Sequence, residues 1–375
     1  MYIQHKEMLR LCYIGRYDTA EIFRGPDKVA RRIADEMALL GHHVYFYEYF
    51  FSGKSYGYMT KLFGYDTIEN SAGRSIFRVG VFPFIFAMLR QRFDVIHIIT
   101  FERFAILALC LKPFFRALIV YSTHGIVRHQ HAYLRSHVKR SLKIKDYISE
   151  FLFYKFSDLL FFLSDQSVSI ASKYYRIPKE KVVIIANGID GIFHETEKRK
   201  KRRQDDVALV FVGDPKRPEK GFDFFLQGLE RGARRTEVFV ICENIPLVPV
   251  STMNDLNIHY VRKMQTQKYA EFLADKDIYV SASSYDPFSI AAVEAMSAGL
   301  VPIVTRETGM SRYVENGVNG FVIGFGDIQQ FKKVLDLLIA NGRLRKKLSS
   351  NARSAVSMLS WRSIAEEYLR WYGLT

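Results

Sequence analysis

Two carboxylates stand eight positions apart in an otherwise apolar stretch, SSYDPFSIAAVEAMSAGLVPIV, residues 283–304. Asp286 precedes Pro287, a pair that predicts a helix N-cap followed by proline at the first helical position. Gly299 is placed to end that helix. Helical register sets the second acid, Glu294, beside Ile290, Ala291, Ser297 and Ala298. A lone carboxylate on a helix apolar nearly all round is costly to bury unpaired, so ligand hydroxyls or a cation are its expected partners. The plainer alternative makes Asp286 a simple cap and Glu294 a partly exposed acid at a sheet edge. The helix start also offers N–H groups, those of Phe288 and Ser289 among them, to anions or sugar oxygens. Lys216, Arg217 and Lys220 fall in a loop after an apolar strand that ends in Gly213, where they can clamp a diphosphate. Alone, such a loop also reads as solvated surface. His124 ends the run ALIVYSTH, where a histidine either touches a polar ligand or serves the structure.

These residues need elements that bring strand ends together. LRLCYIG (9–15) predicts a buried strand, KVARRIADEMALLG an amphipathic helix opened by Gly25-Pro26-Asp27, and HHVYFYEYFF a second strand. That order is a βαβ unit. Strands follow at 93–100, 117–124, 158–164 and 181–190, with helix-like runs at 102–111 and 166–175. The pattern restarts after a basic run, KRKKRR (198–203), with strands at 206–214, 237–242, 277–283 and 301–305. Near-continuous apolar strands fit parallel sheets covered on both faces. The fold class is therefore α/β, with two doubly wound halves meeting near residue 191. Ligands are expected outside the carboxyl ends of the strands, in a cleft between the halves.

Composition narrows the function. The 375 residues are 49% hydrophobic and 25% charged, ample for two cores. Cys12, Cys110 and Cys242 lie far apart, which speaks against a disulfide framework or zinc site. The opening MYIQHKEMLRLCYIG is too polar for a signal peptide, and the apolar run 104–120 is broken by Lys112, Pro113 and Arg116. A cytoplasmic chain is expected. The net charge is +15, and nine basic residues with no acid lie between Arg103 and Lys145. Such a stripe fits an anionic partner. No nucleic-acid module interleaves with it, so nucleic acid is not the expected partner. The loop after the first strand lacks G-x-G-x-x-G, which argues against a dinucleotide oxidoreductase.

Taken together, these motifs resemble the retaining GT-B glycosyltransferases of the large family 4 group, along essentially the whole chain. Asp286-x7-Glu294 followed by AMSAGLVPIV is similar to that family's E-x7-E segment. VENGVNGFVI (314–323), ANGID, EKG, GHHV and STHG match further family motifs in order. The resemblance implies two Rossmann-like domains facing across a cleft: an acceptor-side domain at 1–190, a basic linker at 191–206, a nucleotide-sugar domain at 207–358, and a C-terminal helix at 359–375 that returns to the first domain. It implies a nucleoside-diphosphate sugar as donor, a UDP-sugar favoured and a GDP-sugar the alternative. The acceptor would be a glycan or lipid-linked sugar of bacterial-type surface polysaccharide or glycolipid synthesis. No cofactor and no metal are expected.

Roles follow residue by residue from the resemblance. Glu294 would meet the ribose and Asp286 the donor sugar. Lys220, with Arg217 or Lys216, would neutralise the departing diphosphate. N–H groups at Phe288, Ser289, Gly309 and Met310 would hold donor oxygens, Lys263 and Met264 would touch the base, and Gly25 and Gly213 would let backbone approach the donor. His124 would lie by both sugars, with Arg128 and His129 on the acceptor side. Three positions depart from the family pattern: Asp286 stands where Glu is usual, Asp214 where Arg is frequent, and RGPDK replaces a Gly-Gly-containing first loop. The nearest enzymatic alternative is a GT-B sugar-nucleotide epimerase; a basic nucleic-acid binder is more remote. The stretch 81–92 and the basic stripe suit an anionic membrane surface, which would make the chain peripheral on the inner face of the plasma membrane; the plainer alternative is ordinary core helices with basic surface residues.

Overall fold

The computed structural model describes residues 8–17, 25–50, 56–71, 73–133, 139–196, 207–229, 236–243, 245 and 257–373. Two compact units divide the chain: Met1–Gly188 with Trp361–Thr375, and Ile189–Ser360. The basic run 198–203 lies outside the described residues.

The first unit runs β1 (Arg10–Ile14), α1 (Gly25–Leu39), β2 (His43–Tyr49), α2 (Tyr58–Phe63), β3 (Tyr65–Ser71), β4 (Arg74–Val79), α3 (Val81–Arg90), β5 (Val95–Ile98), α4 (Ile106–Leu111), β6 (Leu118–Thr123), α5 (Val127–Tyr133), α6 (Arg140–Phe156), β7 (Leu159–Phe162), α7 (Asp165–Ser172) and β8 (Val182–Ile184). Its sheet has the order β3-β4-β2-β1-β5-β6-β7-β8 and is parallel except at the β3–β4 edge. β5 and β6 are buried nearly throughout, as strands covered on both faces must be. α1 ends as expected: Gly41 has φ +87, and the N–H groups of Gly41 and His42 donate to Ala38 and Met37.

The second unit runs α8 (Ile192–Glu195), β9 (Val207–Val212), α9 (Phe222–Leu229), β10 (Thr236–Cys242), β11 (Asn257–Arg262), α10 (Thr266–Ala274), β12 (Ile278–Ser281), α11 (Ile290–Ser297), β13 (Val301–Thr305), β14 (Phe321–Ile323), α12 (Ile328–Ala340) and α13 (Gly342–Val356). Its sheet, β11-β10-β9-β12-β13-β14, is wholly parallel. Leu209, Phe211, Val280 and Ile303 fill its centre under Phe225 and Phe331.

The last helix, α14 (Trp361–Trp371), belongs to the first unit. The His97 ring on β5 holds it there. Its Nδ1 lies 2.6 Å from the Tyr372 hydroxyl and its Nε2 2.7 Å from Ser122 Oγ. Both ring nitrogens are thus satisfied in a strand with no exposed residue. Trp361 packs so closely on Gly188 that a Cβ there would sit 2.5 Å from the indole.

Three elements differ from the sequence reading. The hairpin β3–β4 was not foreseen; β3 is an almost fully exposed edge strand, so it lacks the apolar alternation that marks half-buried strands. The run 102–111 opens with a 3₁₀ turn, Arg103–Ala105, before α4. Residues 192–195, read as linker, form α8, whose Phe193 is fully buried against Tyr269 of the second unit.

Candidate functional site

Lys220 and Asp286 meet. They project from the loops after β9 and β12, neighbouring strands whose carboxyl ends share one edge. Lys220 Nζ donates to Asp286 Oδ2 at 2.7 Å. The loop that carries Lys220 is shaped by two glycines. Gly213 leaves room for the Lys220 stem, which would lie 3.2 Å from a Cβ. Gly221 follows the 3₁₀ turn Pro218–Lys220 with φ +67, and a Cβ there would be 1.9 Å from the Ala282 carbonyl oxygen. Only glycine tolerates both the angle and the approach.

Asp286 is not the N-cap of α11. Its Oδ1 accepts the N–H groups of Phe288 at 3.2 Å and Ser289 at 2.8 Å, and the helix starts only at Ile290. Ser289 sits in the left-handed region, φ 63. Asp286 therefore closes a local turn ahead of the helix, and proline 287 belongs to that turn. The N–H groups of Phe288 and Ser289, assigned to donor oxygens above, are spent on this carboxylate. Gly309 is likewise engaged: its N–H donates to the Asp286 carbonyl at 2.8 Å. The first-turn N–H groups of Ile290 and Ala291 are the ones without intrahelical acceptors. Burial pushes the Asp286 carboxyl up, but the Lys220 charge and the three hydrogen bonds outweigh it, so the group stays below the usual range.

Glu294 lies on α11 with only 6% of its surface exposed. Tyr269 and Tyr279 are its neighbours: burial first, then the nearby Glu294 charge, pushes the Tyr269 phenol up, while burial, with the Asp286 and then the Glu294 charge, raises Tyr279 against a hydrogen bond to Ser289. Gly299, with φ +85, ends the helix as expected, donating to Met296 while Leu300 donates to Ala295. Met310 is fully buried, so its side chain has no free surface. Arg217 is exposed and turned to Glu219, its Nε 2.6 Å from Oε1. Lys216 is exposed, with its N–H on Asp214. Lys263 and Met264 follow the edge strand β11, two strands from β9, and Lys263 Nζ is 3.6 Å from Glu243. The structure thus joins Lys220, Asp286, Phe288, Ser289 and Gly309 in one bonded cluster. The Arg217 and Lys263 side chains face Glu219 and Glu243 instead, and the Lys216 backbone N–H donates to Asp214.

His124 closes β6 in the first unit. Burial lowers its pKa to about 4, against a hydrogen bond to the Ile99 backbone. The ring is neutral at pH 7, and its buried Nε2 has no partner among the described residues. A neutral imidazole with one nitrogen on a backbone group leaves the other to accept from a hydroxyl. It lines a cavity of about 210 Å³ with Arg16, Asp27, Thr100, Glu102 and Gln130. Gly25, exposed at the start of α1, adjoins this rim through Pro26 and Asp27; residues 18–24 lie outside the described residues. Arg128 stacks over Tyr147 and Tyr174 at 5.4 and 5.2 Å, and His129 Nδ1 lies 3.2 Å from the Tyr174 hydroxyl. Both are therefore anchored beside the cavity rather than inside its lining. Buried Glu150 fixes this corner by accepting the N–H groups of Val127 and Arg128 and the Tyr175 hydroxyl.

Arg16 and Glu102 were missed by the sequence reading. Each follows a strand end, β1 and β5, which was the available signal. Arg16 Nε donates to Glu102 Oε1 at 2.7 Å. Burial raises the Glu102 carboxyl to about 7, with Arg16 opposing. A carboxyl raised in the folded state favours folding below its unfolded value and loses that contribution as pH rises through about 7. Glu102→Gln is therefore expected to raise the melting temperature at pH 8 by a few degrees, from roughly 1–3 kcal/mol, and to change it little at pH 5. Melts of both proteins across pH 5–8.5 test this; a gap independent of pH contradicts it.

The comparisons with known proteins match this layout. The family model for glycosyl transferases group 1 matches residues 252–355, and that for Glycosyltransferase Family 4 matches 23–191. The chain belongs to the group 1, family 4 glycosyltransferases. Its fold is GT-B. Sucrose-phosphate synthase from Thermosynechococcus elongatus superposes with a TM-score of 0.76 at 15% identity, covering 97% of this chain and 98% of that one. WaaG, a glycosyltransferase involved in lipopolysaccharide biosynthesis, gives 0.67 at 17% identity over 96% and 99%. Among curated relatives, the lipopolysaccharide core biosynthesis glycosyltransferase LpsE of Rhizobium meliloti is 28% identical over 26% of this chain and 29% of its own length. The UDP-Gal:alpha-D-GlcNAc-diphosphoundecaprenol alpha-1,3-galactosyltransferase of Escherichia coli is 24% identical over 64% of each. The family 4 chain spans less than two thirds of these relatives' lengths. Among the described residues, no group of three or more His, Cys, Asp or Glu side chains is placed to hold a metal, and no helix is long and apolar enough to cross a membrane.

Proposed function

We propose that this family 4 chain transfers a hexosyl group from a nucleoside-diphosphate sugar to a glycan or lipid-linked acceptor, with retention of configuration and without a metal. The reading places it in the synthesis of a bacterial-type cell-surface polysaccharide or glycolipid, on the inner face of the plasma membrane. One observation carries it: the Lys220–Asp286 pair at the carboxyl ends of β9 and β12. A departing diphosphate gains negative charge as the sugar bond breaks. Lys220, supported by Arg217 and Lys216 in the same loop, supplies fixed positive charge where that develops. Asp286 holds the ammonium in place and offers a carboxylate to the sugar hydroxyls, while Glu294 takes the ribose. His124 Nε2, a neutral acceptor, suits a sugar hydroxyl in the first unit. A UDP-sugar is the favoured donor and a GDP-sugar the alternative; complexes with UDP and glucose are known for the Anabaena HepE structure, TM-score 0.72.

Thermal shift with UDP and GDP tests the donor site. One nucleotide is expected to raise the melting temperature of the wild type, and Glu294→Ala and Lys220→Ala are each expected to remove that rise. A rise preserved in both variants overturns the assignment.

A further inference from the structure

Of the 21 large hydrophobic side chains exposed on the described surface, twelve lie on α2, α3, α6 and the turn Lys112–Phe114 after α4. Exposed apolar residues scattered singly need no explanation, but a concentration of this kind does. α2 packs on α3, α3 on α4 and α4 on α6, so the helices form one continuous layer on the first unit's sheet. α3 buries Phe84 and Met88 and exposes Phe82, Phe86 and Leu89, which are 50%, 60% and 55% exposed. Phe82 stacks on Phe63 of α2 with centroids 4.8 Å apart. α6 repeats the division, with Phe153 and Tyr154 inside and Ile144, Ile148 and Phe151 outside.

The charges on this layer have one sign. α2, α3 and α4 contain no acid at all. The two acids of α6 are withdrawn: Asp146 is turned to Arg103 and His131, and Glu150 is fully buried. Arg90, Arg92, Arg116, Arg140 and Lys145 are exposed. Basic groups also lie over exposed rings, Arg90 5.5 Å above Phe86 and Lys155 5.5 Å above Phe151.

We infer that the outer face of α2, α3, α4 and α6 is a docking surface for an anionic lipid bilayer. Aromatic and aliphatic side chains enter the headgroup boundary, while the surrounding arginines and lysines meet lipid phosphates. The exposed charges of these helices are basic, which complements lipid phosphates, whereas a protein partner or second copy would have to offer an acidic rim around an apolar patch. The biological purpose of this surface rests on the proposed lipid-linked acceptor; the surface itself does not.

Flotation of the full chain with vesicles tests it. Wild-type protein is expected to float with phosphatidylcholine vesicles containing phosphatidylglycerol, to float less at high salt, and to stay behind with phosphatidylcholine alone. Phe86→Asp with Leu89→Asp is expected to abolish flotation at an unchanged melting temperature. Arg90→Gln with Arg92→Gln is expected to weaken partition roughly 25-fold, about fivefold for each charge. Absence of flotation, equal flotation with neutral vesicles, or variants that float like the wild type overturn the inference. So does a dimer that the Phe86/Leu89 variant splits without any vesicle binding. The nucleotide melting shift, measured without lipid, separates the two readings: a shift without flotation defeats the surface alone, and flotation without a shift defeats the donor site alone.

Discussion

Lys220→Ala is expected to slow sugar transfer by about 10²–10³-fold, the usual consequence of removing one preorganised stabiliser of developing charge. The size follows from how the ammonium is held. Its stem packs along Gly213, its Nζ is fixed 2.7 Å from Asp286 Oδ2, and the pair is only partly exposed, at 21% and 13%. Little reorganisation is needed when a diphosphate leaves, and an exposed lysine elsewhere in the loop cannot replace that preparation. Asp286→Asn separates the two roles. The amide oxygen still accepts from Phe288 and Ser289, so the turn survives, while the charge that competes for Lys220 is gone. Free nucleoside diphosphate should then bind more tightly even though transfer slows. Steady-state rates with a donor-sugar hydrolysis assay, alongside titration calorimetry, check both variants. A Lys220→Ala enzyme at wild-type rate removes the mechanism.

Gly221→Ala is expected to cost about 3–5 kcal/mol of stability, well beyond an ordinary loop substitution. Two effects combine. An alanine at φ +67 costs roughly 1–2 kcal/mol, and its Cβ would overlap the Ala282 carbonyl oxygen at 1.9 Å. That oxygen belongs to backbone at the end of β12, just before Ser283–Asp286, so the strain can be relieved only by moving the segment that carries Asp286. Gly41→Ala is the control: φ is +87, but no atom lies within 4 Å of its Cβ. It should lose only the angle cost, roughly 1–2 kcal/mol. Urea unfolding of the two variants distinguishes angle from approach. Equal losses show that the close contact with Ala282 is immaterial.

The alternation of apolar strands and amphipathic helices was legible, because parallel sheets leave long uninterrupted apolar runs. The helix ends at Gly41 and Gly299 were legible too, since glycine is the residue that enters the left-handed region without cost. Asp286-Pro287 was misread for a specific reason. A capping aspartate and an aspartate closing a turn accept the same N–H groups, two and three residues on, and nothing in the letters reveals that Ser289 has positive φ. The hydrogen bonds that occupy Phe288, Ser289 and Gly309 were hidden for the same reason. Arg16 and Glu102 could not be paired from sequence, being 86 positions apart on strands made neighbours only by the sheet order. The edge strand β3 gave no signal because it buries almost nothing.

Tyr372 has a bearing on how the chain is made. Its hydroxyl satisfies His97, and α14 covers the sheet whose other strands all lie before residue 185. On a ribosome, the first unit is therefore begun early and completed late. Through the synthesis of the entire second unit, the imidazole of His97 and the groove beneath α14 have no native cover. The strands and helices of the second unit, by contrast, are contiguous in sequence. The first unit thus leaves the ribosome first and acquires its full native cover last.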